Sequence, residues 1–263
     1  MDKDAFAGAV GFGVAGALDH GIVAELAAAA EAAGYATFWA NDVPGGEGLA
    51  ALAAAAAATE RIGLGVGVAP LDRQPPAALA ARIAELGLPT ERLVVGVGAG
   101  MPAGGLERVR DGVAELRAMT PARIAVGALG PRMCDLAGEV ADAVLLNWLT
   151  PEHAAESAAL ALAAAAAADR PRPRVVGYVR TAVSEGMPRL VEEANRYASY
   201  PAYAANFARM GVAALETTVH GPDRAALRAG LAPYQATLDE TVVRCIAPDD
   251  VKAYQRVLTA ARP

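Results

Sequence analysis

The sequence predicts an α/β protein, a single (β/α)8 TIM barrel spanning residues 1–263 with a helical insertion between its seventh and eighth strands. Three observations predict it. Short apolar runs alternate with Ala-rich helical stretches along the chain. Successive runs start about 30 residues apart, the length of a βαβ unit. Eight such runs in 263 residues suit one closed barrel, for which about 250 residues is typical.

The eight runs are 10–14, 37–41, 63–68, 93–97, 124–128, 143–147, 175–181 and 240–246. They are continuously apolar, as strands covered on both faces are. Helical segments at 22–33, 49–58, 76–86, 106–119, 133–140 and 151–168 separate the first seven. An open doubly wound sheet is the alternative. It announces itself with a G-x-G-x-x-G turn after the first strand, and residues 11–16 are read as not supplying that turn.

One stretch breaks the rhythm. Helical segments 189–197 and 202–210, split by Tyr200-Pro201, follow the seventh strand. A turn, Val219-His220-Gly221-Pro222, then opens a helix over 223–234. The run 215–219 resembles a strand, but 239–246 is the better apolar run and precedes the last helix, 248–260. The eighth strand is therefore placed there. An insertion after a barrel strand covers the mouth, so a lid is expected.

Composition narrows the function. The net charge of −6, with no basic cluster, argues against a nucleic-acid partner. Acids stand at Met1-Asp2-Lys3-Asp4, where a secretory signal would be basic. The runs 49–58 and 158–168 are mostly alanine and shorter than the roughly 18 residues of a membrane span. A cytoplasmic protein with no membrane association is expected. Cys134 and Cys245 read as reduced core thiols with no metal framework.

A parallel barrel carries its chemistry at the C-terminal ends of its strands. There the sequence places Asp19 and His20, Asn41 and Asp42, and Pro70-Leu71-Asp72-Arg73. Further round come 96–101, 128–132, 147–152, Tyr178 with Arg180, and Arg244. Gly65, Gly67, Gly98, Gly100 and Gly130 are expected to let a flat ligand approach the main chain, because they lack a Cβ. Gly130-Pro131-Arg132 and Thr150-Pro151-Glu152 each set a helix start directly after a strand, with Thr150 as an N-cap. Such starts are anion sites or ordinary caps. Asp42 is a general base or a carboxylate capping the loop after it. Arg180, buried near a barrel mouth, is expected to meet an acid or an anionic ligand. His20 reads as solvated, and His153 and His220 as structural. Tyr178, Tyr200, Tyr203, Trp148 and Met101 line an apolar pocket or are plain packing. No H-E-x-x-H, Cys–His spacing, G-x-S-x-G elbow or Walker lysine occurs, which argues against a metal site, a serine hydrolase and P-loop chemistry. What remains is an enzyme whose cofactor carries the chemistry.

Five segments carry a family resemblance: AEAAGYATFW at 30–39 with Asp42 after it, AATERIGLG at 57–65, RLVVGVGAG at 92–100, LAGEVADA at 136–143 and YPAY at 200–203. In their order and spacing the sequence resembles the luciferase-like monooxygenase superfamily. These are the bacterial-luciferase-type barrels that use reduced flavin or the deazaflavin coenzyme F420. The resemblance implies that Gly67-Val68 is the strand-end peptide pressing on the isoalloxazine ring, often a non-prolyl cis bond, with Val68 backing the ring. Asp42 would border the ring, and Gly98 and Gly100 would lie beside the cofactor. Leu129, Gly130 and Pro131 would form a backbone turn along the ribityl–phosphate tail. Asn147, Trp148, Leu149 and Thr150 would form a second phosphate-side loop.

By the same resemblance, the activity would be coenzyme F420-dependent hydride transfer to or from a small organic substrate, with Asn41, Asp42 and Arg180 orienting it or supplying a proton. The alternatives are a two-component monooxygenase taking reduced FMN from a reductase partner, and a non-catalytic flavin-binding protein. A homodimer is also implied. The chain departs from the family at three places. Val43 stands where many deazaflavin dehydrogenases carry His, Met101 where several carry an acid, and Leu149 and Thr150 where a basic residue often follows the sixth strand.

Overall fold

The computed structural model describes residues 8–43, 46–100 and 104–263; Met101, expected to line a pocket or to be plain packing, lies outside them. The strands are β1 (Ala9–Ala15), β2 (Thr37–Asn41), β3 (Gly63–Pro70), β4 (Leu93–Gly98), β5 (Arg123–Ala128), β6 (Ala143–Asn147), β7 (Arg174–Val183), β8 (Val219–Gly221) and β9 (Glu240–Cys245). The first six alternate with helices α1 (His20–Ala32), α2 (Gly48–Ala57), α3 (Pro76–Glu85), α4 (Gly105–Met119), α5 (Pro131–Val140) and α6 (Pro151–Ala167). Helices α7 (Met187–Ala198) and α8 (Pro201–Met210) follow β7, α9 (Arg224–Gln235) follows β8, and α10 (Val251–Ala260) follows β9.

Each strand from β1 to β6 pairs in parallel with its successor. β9 then pairs with both β7 and β1 and closes the ring. The predicted barrel is the observed one, and its eighth strand is the run chosen from the sequence. Gly11, Gly13 and Gly16 do have the G-x-G-x-x-G spacing, but Gly11 and Gly13 lie inside β1 rather than in a turn after it.

One segment read as a turn is corrected. Residues 219–221 form β8, a strand outside the ring that pairs with Thr181, Ala182 and Val183 of β7. The reason lies in strand length. β7 runs two residues beyond its predicted end, while β6 ends opposite Tyr178. The freed edge of β7 has backbone groups to satisfy, and β8 supplies the partners.

Side chains alternate across the barrel wall. Trp39, Leu145, Val176, Tyr178 and Val242 pack together inside it. Below them Glu240, fully buried, accepts hydrogen bonds from Thr37 Oγ1 and from Trp39 Nε1 at 2.8 Å. Its other oxygen lies 3.1 Å from Arg174 Nη2. A buried carboxylate persists only when paired in this way, and its place at the strand N-terminal face marks it as structural. Outside, alanine lets the helices approach closely. A Cβ at Gly138 of α5 would sit 2.0 Å from the Ala161 carbonyl oxygen of α6. Cys134 and Cys245 are free and buried, and burial pushes the Cys134 thiol up to about 11. Among the described residues, no helix is long and apolar enough to cross a membrane.

Candidate active site

The mouth of the barrel has two unlike halves. The first is built on the end of β3. Gly67-Val68 is a cis peptide, and the register between β3 and β4 shifts between Val66 and Ala69. Val68, half-buried, leans over its neighbours. A Cβ at Gly98 would lie 2.8 Å from one of its methyls, and a Cβ at Gly127 2.8 Å from the other. The Gly67 carbonyl accepts a hydrogen bond from Asn41 Nδ2 at 2.7 Å. Arg244 Nε in turn donates to Asn41 Oδ1 at 2.6 Å.

The expectation that five glycines open the main chain to a ligand needs correcting. Protein atoms fill the space at four of them. An added Cβ would meet the Trp39 ring at 2.3 Å from Gly65, Tyr178 Oη at 2.3 Å from Gly67, and Asp72 Oδ1 at 1.9 Å from Gly100. At Gly98 it would meet Val68, as above. Of the five only Gly130 faces open space, with nothing within 4 Å among the described residues. Trp39 and Tyr178, large side chains from other strands, need the gaps at Gly65 and Gly67.

Gly130 is the N-cap residue of α5, and Pro131 begins the helix. Among the described residues no side chain caps this start, so its first N–H groups are available to an anion. The start of α6 differs. Thr150 caps it by accepting from the His153 N–H, and its hydroxyl also lies 2.8 Å from His153 Nδ1. This accounts for His153 structurally. Asp42 uses both carboxylate oxygens, accepting from the Gly48 N–H at 3.0 Å and from Gln74 Nε2 at 2.7 Å. It holds the start of α2 and the loop after β3.

The second half of the mouth is charged and aromatic. Arg180, 1% exposed, donates from Nε to Glu193 Oε1 at 3.0 Å and from Nη1 to Asn147 Oδ1. The acid expected for Arg180 is therefore Glu193, on helix α7 of the insertion. The guanidinium also stacks 3.9 Å above Trp148 and 4.9 Å from Tyr197. Trp148 sits in the left-handed region at φ 55°, a conformation an L residue keeps only when its surroundings enforce it. Here Tyr197 and Phe207 of the insertion pack its ring at 4.9 and 5.9 Å. Leu149 is buried and its carbonyl accepts from Tyr234 Oη at 3.0 Å. Tyr203 lies partly buried over Tyr197, and burial pushes its hydroxyl up to about 12. Tyr178 Oη is buried with no hydrogen-bond partner among the described residues, and burial raises it well above the ordinary phenol value.

Burial alone would push the Glu193 carboxyl up, but Arg244, Arg180 and Arg196 outweigh it and hold the group below the usual carboxylate range. Sequence reasoning missed Glu193. A signal existed: Leu190, Glu193, Ala194 and Tyr197 form one helical stripe, and an acid inside an apolar stripe needs a cation to face.

The profile of the luciferase-like monooxygenase family matches residues 11–120 and 107–250. The chain belongs to this family and is an enzyme of its oxidoreductase class. No curated protein sequence matches it. Solved structures share its fold. The coenzyme F420-dependent tetrahydromethanopterin reductase of Methanopyrus kandleri superposes with a TM-score of 0.74 at 18% identity, covering 97% of both chains. A monooxygenase, RslO1, of Streptomyces bottropensis gives 0.74 at 20% identity over 97% of this chain and 98% of its own. The oxygenating constituent of 3,6-diketocamphane monooxygenase from Pseudomonas putida, solved with FMN, gives 0.70 at 15% identity over 92% of both.

Proposed function

We propose that this enzyme transfers a hydride between coenzyme F420 and a small organic substrate. The observation that carries the reading is the end of β3. There Gly98 and Gly127 seat Val68 half exposed at the mouth, and Asn41 and Arg244 brace the peptide behind it. A small apolar side chain on a braced backbone suits the face of a planar ring. The open start of α5 at Gly130 fits the phosphate of the same cofactor. The start of α6 fits it less well, because the Thr150 side chain already accepts from the His153 N–H there.

The cofactor supplies the hydride when bound. The chain's own residues bind, orient and exclude water. Asn41 and Arg180 orient the substrate beside Val68. Asp42, with both oxygens engaged, fixes the loop bordering the ring. The aromatic residues of α7 and α8 close the mouth above Arg180. The reading includes a homodimer in the cytoplasm.

Likeness to the F420-dependent reductase supports the choice of cofactor, and likeness to the FMN complex sets the competing arm of the test. Protein freed of cofactor is titrated by fluorescence and calorimetry with oxidised F420 and, in parallel, with FMN. Micromolar or tighter binding of F420 alone supports the reading. Preference for FMN replaces it with a monooxygenase fed by a reductase partner, and binding of neither removes the cofactor assignment.

A further inference from the structure

Arg180 and Arg244 are register partners on β7 and β9. Residues opposite one another in a sheet project to the same side, and like charges so placed repel. Both guanidiniums are withdrawn from water, with Arg180 1% and Arg244 6% exposed. One carboxylate, Glu193, is shared between them, and its ion pair is with Arg180 at 3.0 Å. Arg196 draws on the same carboxylate from 3.7 Å.

Arg244 is left with neutral partners. Its Nε donates to Asn41 Oδ1 at 2.6 Å and its Nη1 to the Cys245 carbonyl. Among the described residues no carboxylate forms an ion pair with it, and its Nη2 makes no hydrogen bond. Two buried guanidiniums share the single Glu193 carboxylate, and buried positive charge in excess of its counter-ion costs several kcal/mol. A neutral amide could make the same two hydrogen bonds, so the positive charge needs another explanation. Two anchored nitrogens also fix the third in place, which is how a guanidinium is prepared for an anion.

We propose that Arg244, with Arg180, binds the anionic group of the substrate, which makes the substrate a small organic carboxylate. The inference rests on the mouth being the active site, as proposed above. Glu193 is the internal counter-ion that such a carboxylate competes with for the guanidinium pair.

The test uses benzoate as the probe and benzamide as its neutral match. Both are titrated calorimetrically into the full-length, cofactor-free protein and into the same protein saturated with F420 or FMN. Benzoate is expected to bind at least about tenfold more tightly than benzamide, with or without cofactor. Arg244→Gln should weaken benzoate by about thirtyfold or more, the usual loss on breaking a buried charge pair. Glu193→Gln should act in the opposite direction and tighten benzoate severalfold, because the competing carboxylate is gone. A structural arginine would not produce effects of opposite sign.

Equal binding of the two probes, or a Glu193→Gln variant that binds benzoate no better, overturns the proposal even where Arg244→Gln fails to fold. Displacement of benzoate by both inorganic phosphate and cofactor also overturns it, because the anion site then belongs to the cofactor. Failure of F420 and FMN to bind defeats the functional reading above, while the benzoate result is read independently of it.

Discussion

Around the inner wall of the barrel, β1, β3, β4 and β5 present Gly11, Gly65, Gly67, Gly98 and Gly127, whereas β2, β7 and β9 present Trp39, Asn41, Tyr178, Arg180, Glu240 and Arg244. The two arcs are complementary. A Cβ at Gly11 would meet Thr37 Oγ1 at 2.4 Å and Glu240 Oε1 at 2.6 Å. Gly65 receives the Trp39 indole and Gly67 the Tyr178 hydroxyl. The glycine arc is therefore the imprint of the side-chain arc, and its glycines cannot be read singly as openings for a ligand. Among the described residues it leaves space only at the top, beside Val68 and Gly130.

The charged arc is expected to carry the larger share of stability. Arg180→Met would leave the Glu193 carboxylate buried with Arg196, at 3.7 Å, as its nearest ion-pair partner among the described residues. Removing one member of a buried pair costs about 3–5 kcal/mol. Urea unfolding followed by circular dichroism measures this directly. A loss below about 1 kcal/mol would mean that water screens the Arg180–Glu193 pair.

The glycine arc should respond to added volume instead. Gly65→Ala places a methyl within 2.3–2.5 Å of three Trp39 ring atoms. Overpacking of this kind costs about 1–3 kcal/mol. The near-ultraviolet signal of Trp39 should change with it. An unaltered spectrum and midpoint would show that the indole can leave Gly65 freely and that the arcs do not interlock.

The barrel was legible because period and spacing are local signals. Apolar runs about 30 residues apart predict βαβ units, and the choice of 240–246 over 215–219 followed from the run itself. β8 was not legible, because its partners Thr181, Ala182 and Val183 lie on the overhang of β7 past Tyr178, which only the ends of β6 and β7 define. Of the site residues, Thr150 was visible as a cap from its place before Pro151. The glycine roles were misread because what fills each gap comes from strands 26 to 111 positions away, as with Trp39 at Gly65 and Tyr178 at Gly67. Glu193 was hidden for a related reason: sequence shows that a buried arginine needs a partner, but not which acid in the insertion supplies it.

A pH profile tests the pairing on the charged side. Glu193 has its folded-state value lowered by Arg244, Arg180 and Arg196 against the upward push of burial. Its stabilising contribution is therefore present above the ordinary glutamate value of about 4.3 and is lost as pH falls through the folded value. Glu193→Gln should be less stable than the parent at pH 7, and the gap should narrow steadily as the medium is acidified below about pH 4. A gap independent of pH would show that the carboxylate contributes packing and hydrogen bonding rather than charge.

The smallest effect on stability, and the sharpest on the comparison, is expected at Gly130. Its backbone is extended at φ −123°, which any residue adopts, and a Cβ there meets nothing within 4 Å. Alanine is a poorer N-cap than glycine, so Gly130→Ala should cost no more than about 1 kcal/mol. The new methyl would nevertheless project into the space beside the uncapped start of α5. If the cofactor's phosphate occupies that space, affinity for F420 or FMN should fall severalfold while the unfolding midpoint barely moves. Unchanged affinity would place the phosphate elsewhere, and Gly130 would then be a helix cap and nothing more.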